Sequence, residues 1–214
     1  EGVAGGGFMY TNRESVSIGI VARLDDLTKK GKSSSDLHDH FLSHPAIASF
    51  LEGGELLEYG CHLVAEGGEK MQHDLVRNGL VVIGDAAGFT LNTGFTVRGM
   101  DLAAGSAVAA ATAVDHALET GDCSRVGLER YIAEYKKSFV GKDMATYAKA
   151  PDFLENDEMY GDLGLMLADV LYGVYNLDLT PRKHILPTAL SAFKASGLKI
   201  RRMAKIGFQA VRFL

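Results

Sequence analysis

Asp85 is the residue best placed to do chemistry in this chain. It closes the apolar run Leu80–Ile83 within LVVIGDAAGFTLNTGFTVRGMDLAAGSAVAAATAV, residues 80–114. A carboxylate at the end of a buried strand must accept hydrogen bonds to offset lost hydration, and a polyhydroxylated ligand offers such donors. Gly84, Ala86, Ala87 and Gly88 leave room for a ligand to approach the main chain there. The next helix is predicted to start near Arg98-Gly99-Met100. Its free N–H groups and positive dipole end favour an anion or an electron-rich ring by about 0.3–1 kcal/mol, more when buried. Ala103, Ala104, Gly105, Ala107 and Ala110 then permit close packing against a sheet. Each feature also has a plainer meaning. A strand, a turn and an Ala-rich helix form an ordinary packing unit, Asp101 is a normal first-turn helix acid, and Arg98 is a normal surface charge.

Several elements must position that loop. Residues 7–24, with aromatic and β-branched residues around TNRES, predict a hairpin. Residues 36–51 predict a helix that ends near His44, broken by Pro45, with a turn or two beyond. ELLEYGCHLVAEGG, residues 55–68, predicts a strand ending in a Gly-Gly turn, which makes residues 1–70 the remainder of a small sheet domain. Residues 71–121 form the strand-loop-helix segment, stopped by Gly121 as a left-handed cap. In the helical region 122–182, Ser124 caps a helix whose Leu128, Tyr131, Ile132, Tyr135 and Phe139 share a face, and Pro151 closes it. Another helix runs from about Leu163 to Val174. The linker LTPRKHILP then leads into a basic tail, 183–214. The fold class is α+β or α/β.

Of the 214 residues, 47% are hydrophobic and 23% charged, which predicts an ordinary folded chain rather than a disordered one. A net charge of -5 argues against general nucleic-acid binding. The charge is uneven, because no Asp or Glu follows Lys183. Cys61 and Cys123 lack CxxC spacing, so they predict reduced, buried thiols of a cytoplasmic protein rather than an iron-sulfur or zinc site. His40 and His44 could share a helix face near His38 and Asp39, but solvated helix histidines explain them as well, and no metal is expected. GxSxG and P-loop motifs are absent, which leaves hydrolase and phosphoryl-transfer readings unsupported.

The residues of the central stretch suit a bound flavin, and they carry a resemblance. GDAAGF followed by NTGFTVRGMDLA resembles the second flavin-binding motif of the glutathione-reductase-like FAD enzymes, most closely the FixC branch of the electron transfer flavoprotein:quinone oxidoreductases. The likeness extends to GGGFMYTN, EYGCHLVAEGG, KAPDFLEN and the basic C-terminal segment. It implies the C-terminal half of such a protein: an antiparallel substrate-domain sheet, a strand-loop-helix returning to the FAD domain, and C-terminal helices. The cofactor it implies is FAD. Asp85 of the Gly84-Asp85 pair, with Ala86 beside it, would bind the ribityl hydroxyls; Gly99, Met100 and Asp101, with Arg98, would face the N1/O2 edge of the ring.

The resemblance also implies electron transfer flavoprotein subunits as donor, and quinone or a ferredoxin-like iron-sulfur protein as acceptor, in the setting of nitrogen fixation. No catalytic acid or base is expected, since the chemistry belongs to the flavin. The family's GxGxxG is absent from the sequence, so FAD binding by these residues alone is expected to be weak. Ala65 stands where the family has Pro. The rivals are a geranylgeranyl-reductase-like or aromatic-hydroxylase-like flavoprotein and a cofactor-free interaction fragment. Residues 199–214 predict an amphipathic basic helix on the inner membrane face, or simply a helix packed on the body.

Overall fold

The computed structural model describes residues 2–94 and 96–213, and within them the chain forms two compact units. One comprises residues 1–61 and 157–198, the other residues 62–156 and 199–214. Phe95, inside the loop motif, lies outside the described residues.

The first unit opens with an antiparallel hairpin, β1 (Gly5–Thr11) and β2 (Val16–Ala22), joined by the polar turn at Asn12–Ser15. Its glycines hold aromatic rings: a Cβ on Gly7 would meet the Phe41 ring at 2.5 Å, and one on Gly19 the Phe8 ring at 2.7 Å. Helix α1 (Leu24–Lys30) follows at once, a helix the sequence reading did not foresee. Its buried Asp26 accepts the Ala4 N–H at 3.0 Å and Arg23 Nε at 2.8 Å, pinning the chain ahead of β1. As expected from Pro45, α2 (Ser34–Ser43) stops at His44 and α3 (Pro45–Leu51) begins anew. The His44 imidazole accepts the Ala46 N–H at 3.3 Å, so it works as a helix cap.

Residues 55–68 are not the expected strand. They run without regular structure up to a short 3-10 turn, Gly68–Met71, and Leu56, Leu57, Tyr59 and Leu63 are exposed. Apolar residues make a strand only where a neighbouring strand completes the ladder, and no described strand pairs with this segment. Cys61 and Cys123 are exposed as well, against the expectation of buried thiols. Cys61 lies on this irregular stretch, and Cys123 in the turn after Gly121. α9 (Asp162–Tyr175) and α10 (Ile185–Ala195) complete the first unit and pack against each other.

In the second unit β3 (Val76–Arg77), β4 (Leu80–Val81), β5 (Leu91–Asn92) and β6 (Val97–Arg98) form two minimal antiparallel pairs. Val76 of β3 and Leu91 of β5 share a core with α4 (Met100–Thr120), which ends at Gly121 with φ +71°, the predicted left-handed stop. Ala109, Ala113 and Ala117 keep one face of α4 thin. That face lies against α5 (Arg125–Leu128) and α6 (Arg130–Lys137), with Leu128 and Tyr131 in the shared core.

The helix expected from Ser124 through Phe139 is three. Ser138 ends α6 and its hydroxyl accepts the Val140 N–H at 3.1 Å to start α7 (Phe139–Thr146), so Phe139 leaves the face of Leu128, Tyr131 and Tyr135 and is partly exposed. Gly105 lets α7 approach α4, since a Cβ there would lie 2.6 Å from Val140 Cγ2. α8 (Ala150–Leu154) starts at Pro151 in its first turn, and α11 (Ile200–Phe213) packs on it.

Phe89, fully buried with its ring 5.1 Å from that of Tyr135, anchors this core. Phe89→Ala is expected to destabilise the second unit by about 3–5 kcal/mol in denaturant melts. In the first unit the Ala4 N–H and Arg23 hold the Asp26 carboxyl below its ordinary value. A depressed carboxylate stabilises above its unfolded pKa, near 4, and loses that stabilisation as pH falls through the folded value. Asp26→Asn is therefore expected to flatten the acid limb of the stability profile.

Candidate functional site

The loop between β4 and β5 is built by glycines. Gly84 opens a 3-10 turn, Gly84–Ala87, at φ +60°, and Gly88 closes it at φ +76°. Both positions forbid side chains for a second reason: a Cβ on Gly84 would meet Ala103 Cβ of α4 at 3.2 Å, and one on Gly88 the Met71 carbonyl oxygen at 2.9 Å. The Gly88 and Phe89 N–H groups donate back to the Asp85 and Gly84 carbonyls at 2.9 and 3.1 Å, which fixes the turn internally.

Two buried hydroxyls fasten the loop to the helices beneath. The Gly84 N–H donates to Ser106 Oγ at 3.0 Å, and Ser106 donates in turn to the Ala103 carbonyl at 2.8 Å. Tyr131 donates to the Val82 carbonyl at 3.0 Å, and burial pushes its hydroxyl up to about 12. Ser106 and Tyr131 are fully buried, so the Gly84 N–H and the Val82 carbonyl each have a protein partner. Sequence reading missed both. The available signal was one hydroxyl, Ser106, on the buried face of an otherwise Ala-Gly helix.

Asp85 is exposed and sits on the turn, not at the end of a buried strand as expected, because β4 is only two residues long. Its Oδ1 lies 3.4 Å from where a Gly99 Cβ would be. The carboxylate therefore hangs beside the start of α4, where Gly99 provides no side-chain cap and Met100 is 90% exposed. Ala86 is exposed next to it. The structure thus brings Gly84, Asp85, Ala86, Gly99 and Met100 together around a helix N-terminus.

Arg98 and Asp101 brace that entrance. Arg98 Nε donates to Asp101 Oδ2 at 2.8 Å and Arg98 Nη1 to Asp143 Oδ2 of α7 at 2.6 Å. Hydrogen bonding from Arg98 lowers the Asp101 pKa, and the two carboxylates raise that of Arg98. The pair straps the first turn of α4 to α7, and Asp143 was not anticipated. Around the rim, the Thr90 hydroxyl donates to the Ala65 carbonyl and Asn92 donates to Glu66 at 3.2 Å, which ties residues 65–66 to the loop although Ala replaces the expected Pro.

A glycine-built loop, an exposed carboxylate and a helix start without a side-chain cap stand together in this part of the chain. No family model matches the chain. The probable electron transfer flavoprotein-quinone oxidoreductase YdiS of Escherichia coli K12 is 42% identical over 198 residues, 92% of this chain and 46% of that protein. Protein FixC of Salmonella typhimurium LT2 is 39% identical over 178 residues, 83% of this chain and 41% of its own length. The probable electron transfer flavoprotein-quinone oxidoreductase YgcN of E. coli K12 is 34% identical over 167 residues, 78% of this chain and 39% of its own. The chain belongs to the family of FixC and the electron transfer flavoprotein-quinone oxidoreductases. It spans about half the length of the curated relatives it matches.

Ser106→Ala is expected to leave the Gly84 N–H buried without an acceptor and to cost about 1–3 kcal/mol in chemical denaturation. Tyr131 should titrate near 12 in a spectrophotometric titration of the folded protein, above the ordinary tyrosine value of 10. Since the folded pKa is raised, its contribution to stability is complete below about pH 10 and is lost as pH rises through the folded value. Tyr131→Phe should remove that alkaline loss.

Proposed function

We propose that this chain contributes the ribityl- and ring-facing part of an FAD site in an oxidoreductase that takes electrons from an electron transfer flavoprotein and delivers them to quinone. The observation that carries the reading is the pairing of exposed Asp85 with the uncapped start of α4, in a chain whose relatives are named for electron transfer flavoprotein and quinone. The architecture this requires is a glutathione-reductase-like FAD fold. The mixture of helices and small antiparallel strand pairs is compatible with an α+β chain.

The residues present fit the cofactor. Asp85 would accept hydrogen bonds from the ribityl hydroxyls, with Gly84 and Ala86 giving the main-chain clearance such a chain needs. The backbone at Gly99 and Met100 would face the N1/O2 edge of the ring, where the positive helix end favours negative charge. FAD, when bound, supplies the electron-carrying chemistry, and the protein positions it and sets its potential. Arg98 and Asp101 keep the first turn of α4 in place, so their role is to hold that dipole steady. Partners of this reading are the electron transfer flavoprotein subunits, quinone, and a ferredoxin-like iron-sulfur protein as a further acceptor.

Asp85→Ala is expected to weaken FAD binding by about 1.5–3 kcal/mol, the value of a hydrogen bond to a charged group, equivalent to roughly 10- to 150-fold in affinity. Flavin absorbance per polypeptide after gel filtration of the flavin-loaded protein reads the loss. Full retention by a folded Asp85→Ala protein would return the loop to a packing role.

A further inference from the structure

The strap across the start of α4 holds more negative charge than its arginine needs. Arg98 donates through all three guanidinium nitrogens: Nε and Nη2 to Asp101 Oδ2, and Nη1 to Asp143 Oδ2 of α7 at 2.6 Å. One cation thus serves two carboxylates, and the three groups together keep one net negative charge. The pair with Asp101 is local, three residues apart, whereas Asp143 comes from 45 residues along the chain.

The distant partner is the better shielded of the two acids. The Asp143 side chain is 32% exposed and that of Asp101 47%. Asp143 is also mounted on a fixed element, because Val140 and Met144 of α7 are buried in the core. Val140 Cγ2 would lie 2.6 Å from a Cβ on Gly105 of α4, so α7 stands against the helix whose start it braces. A charge-assisted hydrogen bond from so rigid a mount fixes where the guanidinium lies.

That placement matters electrically. A helix start carries about half a positive charge and favours a negative ligand beside it. Arg98 immediately precedes Gly99, and an uncommitted guanidinium there would add a full positive charge to the same pull. Asp101 alone would balance the arginine. Asp143 commits the remaining donors and takes the group one charge below neutral.

We propose that Asp143 is a positioning residue of the candidate flavin site: from α7 it commits the Arg98 cation to the carboxylate pair and so keeps the flavin potential lower than a free arginine at the start of α4 would set it. The inference rests on the proposed function for its ligand, and on the contacts of Arg98 for its mechanism. It gives Arg98 a charge held in reserve rather than a direct contact with the ring.

The test is a spectroscopic redox titration of flavin-loaded parent, Asp143→Asn and Asp143→Glu proteins against a reference dye. The Asn oxygen can still accept from Nη1, so the strap keeps its shape and loses the charge that commits the cation. Reduced flavin should then gain over oxidised flavin on the order of tenfold in relative affinity, a rise of about 30 mV in the midpoint of a two-electron couple. Asp143→Glu should keep the parent potential. With Arg98→Gln already present, Asp143→Asn should give a much smaller shift, because no cation is left to commit. In the flavin-free chain, the Ala103 N–H donates to the Gly99 carbonyl at 2.7 Å and reads the first turn directly. Its amide exchange should quicken several-fold in Asp143→Ala, while that of Ala113, deeper in α4, stays as it was.

A parent potential in Asp143→Asn, in a protein that still loses flavin with Asp85→Ala, would overturn the proposal and leave the flavin site standing. Equal shifts with and without Arg98 would overturn it too, since Asp143 would then act by its own charge. Unchanged Ala103 exchange in Asp143→Ala would remove the strap on which the mechanism depends. Full flavin retention by folded Asp85→Ala would remove the flavin reading, and this proposal with it.

Discussion

The second unit depends on how closely the Val82–Gly88 loop lies on α4. At Gly84 a side chain would be strained and crowded: the backbone is left-handed, and a Cβ would stand 3.2 Å from Ala103 Cβ. Packing this close buries main-chain polar groups, and each must find a partner. Ser106 provides one for the Gly84 N–H and Tyr131 another for the Val82 carbonyl. The same closeness places Asp85 beside the first turn of α4. One steric constraint thus governs the core, the buried hydroxyls and the candidate site together.

Electrostatics organises the entrance on the same scale. The N-cap residue of α4, Gly99, provides no side-chain cap, and an acid beside a helix start is favoured by the helix dipole. Asp101 fills the usual first-turn role, and Arg98 bridges it to Asp143 of α7. Asp85 is left as the exposed carboxylate of the loop. One acid is thus tied into the structure and the other is exposed.

The irregular stretch 55–68 shows the limit of composition as a guide. Its leucines, tyrosine and valine have strand character, but strand character is a preference for a half-buried pleated surface and not a backbone property in itself. Among the described residues no neighbouring strand offers that surface, and Leu56, Leu57 and Leu63 are exposed. The three-way break of the 124–146 region has a different origin. At the second of its two boundaries Ser138 has an extended backbone, and its hydroxyl accepts the Val140 N–H to start α7.

Local chemistry determined a good deal from sequence alone. The hairpin around TNRES, the break at Pro45, the Gly121 stop and the start of α4 near Met100 depend on a few neighbouring residues, and each falls where the chain predicts it. The motif GDAAGF with RGMDLA named the family by the same kind of local pattern. Tertiary structure decided the rest, because those outcomes join residues distant in sequence. Ser106 under Gly84, Asp143 holding Arg98, and Asp85 beside Gly99 are pairings that no window of neighbouring residues contains.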